Sequence, residues 1–121
     1  MALELLRESQ VEMSFSLERP TSATPKIGET KDMRASQIPV TEHYFIGPFH
    51  WWIYEYDKED DIAFGFVNLN DPQMAELGSI SMKELETVSI MGMVVTRDRN
   101  WKSTQLSVVM DSVSSQLNAR K

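Results

Sequence analysis

The chain has 121 residues, 12 of them basic and 18 acidic, giving a net charge of −6, and it contains no cysteine. That length fits one domain with an ordinary buried core, and the absence of cysteine excludes disulfides, thiolate catalysis and Cys-based zinc sites. Phosphate backbones repel a net negative surface, so no direct nucleic-acid binding is expected.

The first residues, Met1-Ala2-Leu3-Glu4-Leu5-Leu6-Arg7-Glu8, carry charge within a turn or two and hold no apolar stretch long enough for a signal peptide. The longest apolar run, Ile90 to Val95, is six residues and is interrupted by Gly92, against about 20 for a membrane helix. A cytoplasmic protein with no membrane contact is therefore expected.

Residues 2–13 suit a short helix, with Leu3 and Leu6 on one face. Residues 14–42 hold Pro20, Pro25, Pro39 and Gly28 among many Ser, Thr and Lys, which is turn and linker chemistry. With few large apolar side chains to offset the entropy of ordering, this stretch predicts either an extended arm partly ordered against the core or a mobile segment. The expected division is a short helix and proline-containing arm over 1–42 and a folded domain over 43–121.

From His43 the composition turns to aromatic and β-branched residues, which favour strands. His43-Tyr44-Phe45-Ile46 and Trp51-Trp52-Ile53-Tyr54-Glu55-Tyr56 predict two strands joined by a turn at Gly47-Pro48. An acidic loop, Asp57-Lys58-Glu59-Asp60-Asp61, leads into Ile62–Val67, a third strand that is apolar on both faces. Leu77–Ile80 predicts a fourth. Ser81-Met82-Lys83-Glu84 is a capping-box pattern, which predicts a helix over 81–90 that stops at Gly92. Met93–Thr96 predicts a fifth strand. Leu106, Val109, Met110, Val113 and Leu117 then mark one face of an amphipathic helix over 104–119, capped by Ser103 or Thr104, with Arg120 and Lys121 suited to its negative end.

The order Trp51…Glu55-Tyr56-Asp57-Lys58-Glu59-Asp60, Ala63-Phe64-Gly65, Glu76-Leu77-Gly78-Ser79-Ile80-Ser81, Glu84-Leu85 and Arg97-Asp98 resembles domain-of-unknown-function family 2958 across residues 43–101. Thr96 stands where that family usually has Glu, and Ser79 replaces a common aromatic residue. The resemblance implies a small protein carried by phages, plasmids or other mobile elements, sometimes beside anti-restriction genes. It implies no activity.

Several residues invite a functional reading. Clustered carboxylates at Glu55, Asp57, Glu59, Asp60 and Asp61 suit a divalent metal, but the loop lacks the ligand rhythm and the Gly bend of a calcium loop. A solvated hairpin is the preferred reading, with no metal and no cofactor. His43 and His50 flank the Gly47-Pro48 turn and could face each other; without a third ligand of matching spacing they read as ordinary strand histidines. Alternation puts Trp51, Ile53 and Glu55 on one face of their strand and Trp52, Tyr54 and Tyr56 on the other. Two readings stand for the second face: three amphipathic rings offered to a partner, or a face covered by helices. Glu55 on a buried face needs a partner, and Arg97 is the best candidate for a structural ion pair.

The sequence therefore predicts an α+β domain: a mostly antiparallel sheet of four or five strands, with two or three helices packed on it, the 81–90 and 104–119 helices on one side. The expected function is that of a non-enzymatic accessory protein of a phage or other mobile element. No catalytic residue is assigned. It would bind a host or phage protein through Trp52, Tyr54, Tyr56, Asp57, Glu59 and Asp60, as a monomer or homodimer. One alternative is an acidic DNA mimic or anti-restriction inhibitor. Another is a small metal-dependent hydrolase using the 55–61 carboxylates.

Overall fold

The computed structural model describes residues 16–119, with side chains as far as residue 117. The helix expected over 2–13, and Arg120 and Lys121, lie outside the described residues. The chain is an α+β fold built on a five-stranded antiparallel sheet. Its central strands are β2 (Glu42–Ile46), β3 (Phe49–Asp57) and β4 (Ile62–Leu69), with β5 (Glu76–Ser81) and β8 (Thr96–Arg97) at the edges. Two short pairs join it: β1 (Pro39–Val40) with β9 (Thr104–Gln105), and β6 (Ser89–Ile90) with β7 (Met93–Val94). The helices are α1 (Met82–Glu86) and α2 (Leu106–Ala119).

Gly47, at φ 55°, and Pro48 turn β2 into β3 as their chemistry predicts. Asp61 takes the left-handed conformation at φ 57° where β3 turns into β4, a conformation Asp tolerates better than most residues. The decisive irregularity lies in β3. Ile53 pairs with Gly65 but Glu55 pairs with Phe64, so Tyr54 is an extra residue without a counterpart. Such a bulge reverses which face each later side chain takes. Tyr56 therefore joins the face of Trp51 and Ile53, and Glu55 moves to the face of Phe64.

Each face of the sheet carries its own core. Tyr44, Ile46, Trp51, Ile53, Ala63 and Ile80 pack with Met82 and Leu85 of α1 and with Leu17 and Val95. On the opposite face Val40, Trp52, Tyr54 and Phe66 pack with Leu106, Val109 and Val113 of α2 and with Ile38. The expectation of both helices on one side is thus corrected: each helix covers a different face. Two covered faces give two apolar sets, which is why strand β4 reads as apolar throughout.

The helix expected over 81–90 is shorter. The Ser81 hydroxyl accepts from Glu84 N–H at 3.2 Å, as the capping pattern requires, but α1 ends at Glu86. Gly92 does not stop a helix; it forms, with Met91, the turn of the β6–β7 hairpin. Both turn residues have positive φ, the geometry that suits the twist of a two-residue hairpin. At α2 the first backbone N–H groups are not met by Ser103 or Thr104. Leu106 N–H donates to Ile38 O at 2.9 Å and Ser107 N–H to Ala35 O at 3.1 Å, so the arm satisfies donors that a helix start leaves open.

The arm is packed, contrary to its composition. It runs from the first core at Leu17 to the second at Ile38, with Thr24 and Thr30 buried between them. Its turns hold it locally, as in Thr24 N–H to Thr21 O and Met33 N–H to Thr30 O, both at 3.0 Å. What anchors it is polar: its backbone donors meet carboxylates of the sheet, a feature invisible to a count of apolar residues.

Candidate functional site

Between the arm and the β3–β4 hairpin lies an open cleft of about 1150 Å³. Arg19 to Glu29 form one wall, Tyr56 to Glu59 with Asp61 form the other, and Lys83 closes one end. The two walls are joined where Tyr56 N–H donates to Pro25 O at 2.9 Å.

The floor is an ion-pair network centred on Arg19. Its Nε lies 3.0 Å from both Asp61 oxygens, its Nη2 2.9 Å from Asp61 Oδ2 and its Nη1 2.8 Å from Glu86 Oε2. Tyr56 Oη donates to Asp61 Oδ1 at 2.5 Å, and Leu17 N–H donates to Glu86 Oε2 at 2.7 Å. Burial would raise the Asp61 carboxyl, but the hydrogen bonds from Arg19 and Tyr56 outweigh it and hold the carboxyl below its ordinary value. Glu86 is held low in the same way, against burial, by Arg19 and the Leu17 amide. Burial, and then the bond to Asp61, push the Tyr56 phenol up to about 12. Asp61 hydrogen-bonded to Tyr56 and paired with Arg19 is therefore a fixed anion, not a proton carrier at neutral pH.

The rim is freer. Asp57 Oδ1 accepts from Glu59 N–H at 3.0 Å, which fixes the hairpin tip. Lys26, Lys58, Glu59 and Ile27 are exposed, Ile27 to 42%. The cleft thus offers fixed carboxylates, flexible cations and one apolar side chain. Among the described residues no group of three or more His, Asp or Glu is placed to hold a metal ion. Of the acidic run, Asp61 turns inward to Arg19 and Glu55 lies on the other face, so the carboxylates do not converge.

The residues singled out from sequence divide accordingly. Tyr56, Asp57 and Glu59 line the cleft, and Asp60 is exposed at the hairpin tip beside it. Trp52 and Tyr54 do not reach it. They are buried against α2 on the opposite face, 8% and 9% exposed, so their expected place in a partner-binding surface is corrected: both are core residues. The expected Glu55–Arg97 pair is also corrected. Glu55 accepts from Gly28 N–H and Thr30 N–H, each at 3.0 Å, and from the Thr30 hydroxyl. Arg97 instead donates Nε to Glu42 Oε1 at 2.9 Å and Nη2 to Glu42 Oε2 at 3.2 Å, with Nη1 on Glu18. Arg97 sits across from Tyr44 in the β2–β8 pair, two residues from Glu42 on the same side of β2, whereas the bulge carries Glu55 away.

A second polar cluster was only half visible in the sequence. His43 and His50 do meet: His43 Nε2 is 2.9 Å from His50 Nδ1. Asp98 completes a line, its Oδ2 2.8 Å from His43 Nδ1. His43 stands opposite Trp52 and His50 opposite Phe45, so the histidines are diagonal neighbours, two residues out of direct register on one face of β2 and β3. Asp98 is aimed by two backbone bonds, its own N–H to His43 O at 2.8 Å and Asn100 N–H to its Oδ1 at 3.0 Å. Trp52, Phe45 and Trp101 surround the His43 ring, with Trp101 Nε1 donating to Val40 O. The hydrogen bond from His43 holds the Asp98 carboxyl low; burial, then the neighbouring His43, push the His50 imidazole down. The signal for Asp98 lay in Arg97-Asp98, where attention went to the arginine.

No helix among the described residues is long and apolar enough to cross a membrane. The model of one protein family, DUF2958, a protein of unknown function, matches residues 13–116. The match takes in the arm and most of α2, well beyond the five motif elements of residues 43–101. No curated protein and no solved structure matches the chain.

Proposed function

Because the chain belongs to the DUF2958 family, which brings no activity with it, we propose from the geometry that the protein acts by binding another protein at the cleft between the arm and the β3–β4 hairpin. The observation that carries this reading is the cleft itself. Its volume of about 1150 Å³ lies at the upper end of small-molecule sites and is open along one side, so it suits an extended chain segment. Asp57 and Glu59 favour a basic residue in that segment, Ile27 an apolar one, and the aromatic ring of Tyr56 gives the wall a flat contact surface. Lys26, Lys58 and Lys83 interleave with these acids. That mixture favours a protein ligand over the alternative of a DNA mimic, which needs a continuous acidic face. Glu55 and Asp61 are already committed to the arm, which weakens the hydrolase alternative at the same loop. The setting, an accessory protein of a phage or other mobile element working in the host cytoplasm, rests on the family resemblance alone.

The test is a capture experiment from the natural host, with the parent and with Glu59→Lys combined with Asp60→Lys, which leaves the Asp57 carboxylate at the hairpin tip. The parent should enrich one protein that the variant loses, while the thermal melts of both coincide. An identical captured set from both proteins would remove the cleft from the reading.

A further inference from the structure

We propose that His50 is a catalytic general base that activates water against carboxylic esters, with His43 and Asp98 as positioning residues behind it. This goes beyond protein binding and uses a different part of the molecule: His50 is the second residue of β3, whereas Tyr56 of the cleft lies six residues further on, roughly 20 Å along the strand.

The first observation is the line Asp98–His43–His50. A carboxylate only accepts, so His43 Nδ1 carries the proton of the 2.8 Å contact. With both rings neutral, His43 Nε2 is then the acceptor and His50 Nδ1 the donor of the 2.9 Å contact. The tautomer of His50 follows from this: its Nε2 holds a lone pair, and among the described residues nothing hydrogen-bonds to it. The ring centroids are 5.2 Å apart with 13° between the planes. At a nitrogen–nitrogen distance of 2.9 Å the rings therefore lie edge to edge in nearly one plane, the geometry of a straight hydrogen bond and not of a face-to-face stack.

Asymmetry between the two rings is the second observation. His43 is buried, sealed by Trp52 and Trp101, while His50 is partly exposed at the edge of the cluster. A buried ring between a carboxylate and a second imidazole does not meet a ligand; the outer ring does.

The third is the wall beside it. Trp52 lies 5.1 Å from His50, nearly parallel, and Phe45 lies 6.5 Å away. Apolar, aromatic surroundings favour an uncharged substrate with a flat leaving group, such as an aryl ester.

The protons balance within the relay. Water oxygen attacks the ester carbonyl carbon as one water proton passes to His50 Nε2. The Nδ1 proton of His50 is free to shift to His43 Nε2, giving an imidazolium ion-paired to Asp98. When the tetrahedral adduct collapses, the carbon–oxygen bond to the leaving group breaks. The proton then returns from His50 Nε2 to the departing phenolate. The products are a carboxylic acid and a phenol, and the relay is restored. No metal or cofactor enters the scheme.

Hydrolysis of p-nitrophenyl acetate by the whole chain tests this, with parent, His50→Gln and Asp98→Asn compared across about pH 5 to 8. The parent rate should rise through one ionisation and fall about a hundredfold in His50→Gln. Asp98→Asn should displace the inflection of the pH profile as well as lower the rate, which a merely structural role would not do. A parent no faster than free imidazole at equal concentration, or His50→Gln turning over like the parent, overturns the proposal; an unchanged profile in Asp98→Asn overturns the positioning role. Should His50→Gln fail to fold, carbethoxylation of the parent with diethylpyrocarbonate, mapped by mass spectrometry, decides. Activity lost in step with His50 modification supports the assignment, and activity that survives it refutes it.

Discussion

Gly65 lies directly against the main chain of Trp52: a Cβ built on it would stand 2.2 Å from the Trp52 carbonyl oxygen and 3.2 Å from Ile53 Cα. Gly65 pairs with Ile53 at the start of the bulge in β3, where the extra residue bends one strand over its neighbour. The obstructing atoms are backbone, which has no rotamer to give. Gly65→Ala should therefore destabilise the fold by about 3 kcal/mol, read from urea denaturation. An unchanged midpoint would mean that the bulge is not held against β4.

A double-mutant cycle separates the two carboxylates that compete for Arg97 on paper. Arg97→Ala with Glu42→Gln should show a coupling of at least about 1 kcal/mol, because Glu42 is buried and bidentate to the guanidinium. Arg97→Ala with Glu55→Gln should be additive to within about 0.5 kcal/mol. The hydrogen bond of Arg97 to Glu42 also raises the guanidinium pKa, so no pH in the working range uncouples them from the arginine side.

Much of the sheet was legible because its signals are local. The turn at Gly47-Pro48, the Ser81 cap and the stripe of Leu106, Val109 and Val113 each need only a few neighbouring residues to specify them. The Glu55 assignment failed because strict alternation cannot see a bulge, and the residue that permits the bulge, Gly65, lies in another strand. The helix over 81–90 was overextended because a hairpin turn made by Met91 and Gly92 resembles a helix end when only the glycine is weighed. The assignment of Trp52 and Tyr54 to a binding surface failed because the sequence does not say which face α2 covers. The arm looked unanchored because its contacts use backbone N–H groups, which every residue type supplies.

Trp52→Ala should now behave as a core truncation and cost about 3–5 kcal/mol. Val109→Asp, on the helix that covers Trp52, should cost several kcal/mol by burying an unpaired charge, on the order of 3 or more. Thermal melts of the purified proteins decide both. A parent-like melt for Trp52→Ala would place that ring at the surface after all.

Stability should also fall in two steps as the pH drops. Burial, and then His43 beside it, push His50 below the ordinary imidazole value of 6.5, so the unfolded chain binds the proton more readily; stability present above about 6.5 is lost as the pH falls toward the folded value. Asp61 and Glu86, held below the ordinary values of 3.8 and 4.5, contribute stability that is complete above those values and lost as the pH falls through the folded ones. His50→Gln should flatten the first step only, and Arg19→Ala the second. Melts recorded from about pH 8 down to 3 would show a single step if His50 were indifferent to folding.

The anchoring of the arm sets a timetable for synthesis. Leu17 reaches Glu86 across 69 residues, and Glu18 reaches Arg97 and Arg99 across 79 and 81. A ribosome adding roughly 5–20 residues per second needs on the order of ten seconds to supply those partners. During that interval Leu17 and Glu18 have emerged without these partners, while Thr24, Gly28 and Thr30 meet theirs as soon as β2 and β3 are made. Glu55 finds its donors, Gly28 and Thr30, already made, whereas Glu42 has Thr21 but waits for Arg97, so the β2–β8 edge is the part of the sheet that cannot close early. The end of the arm at Leu17 and Glu18 is therefore fastened later than its middle.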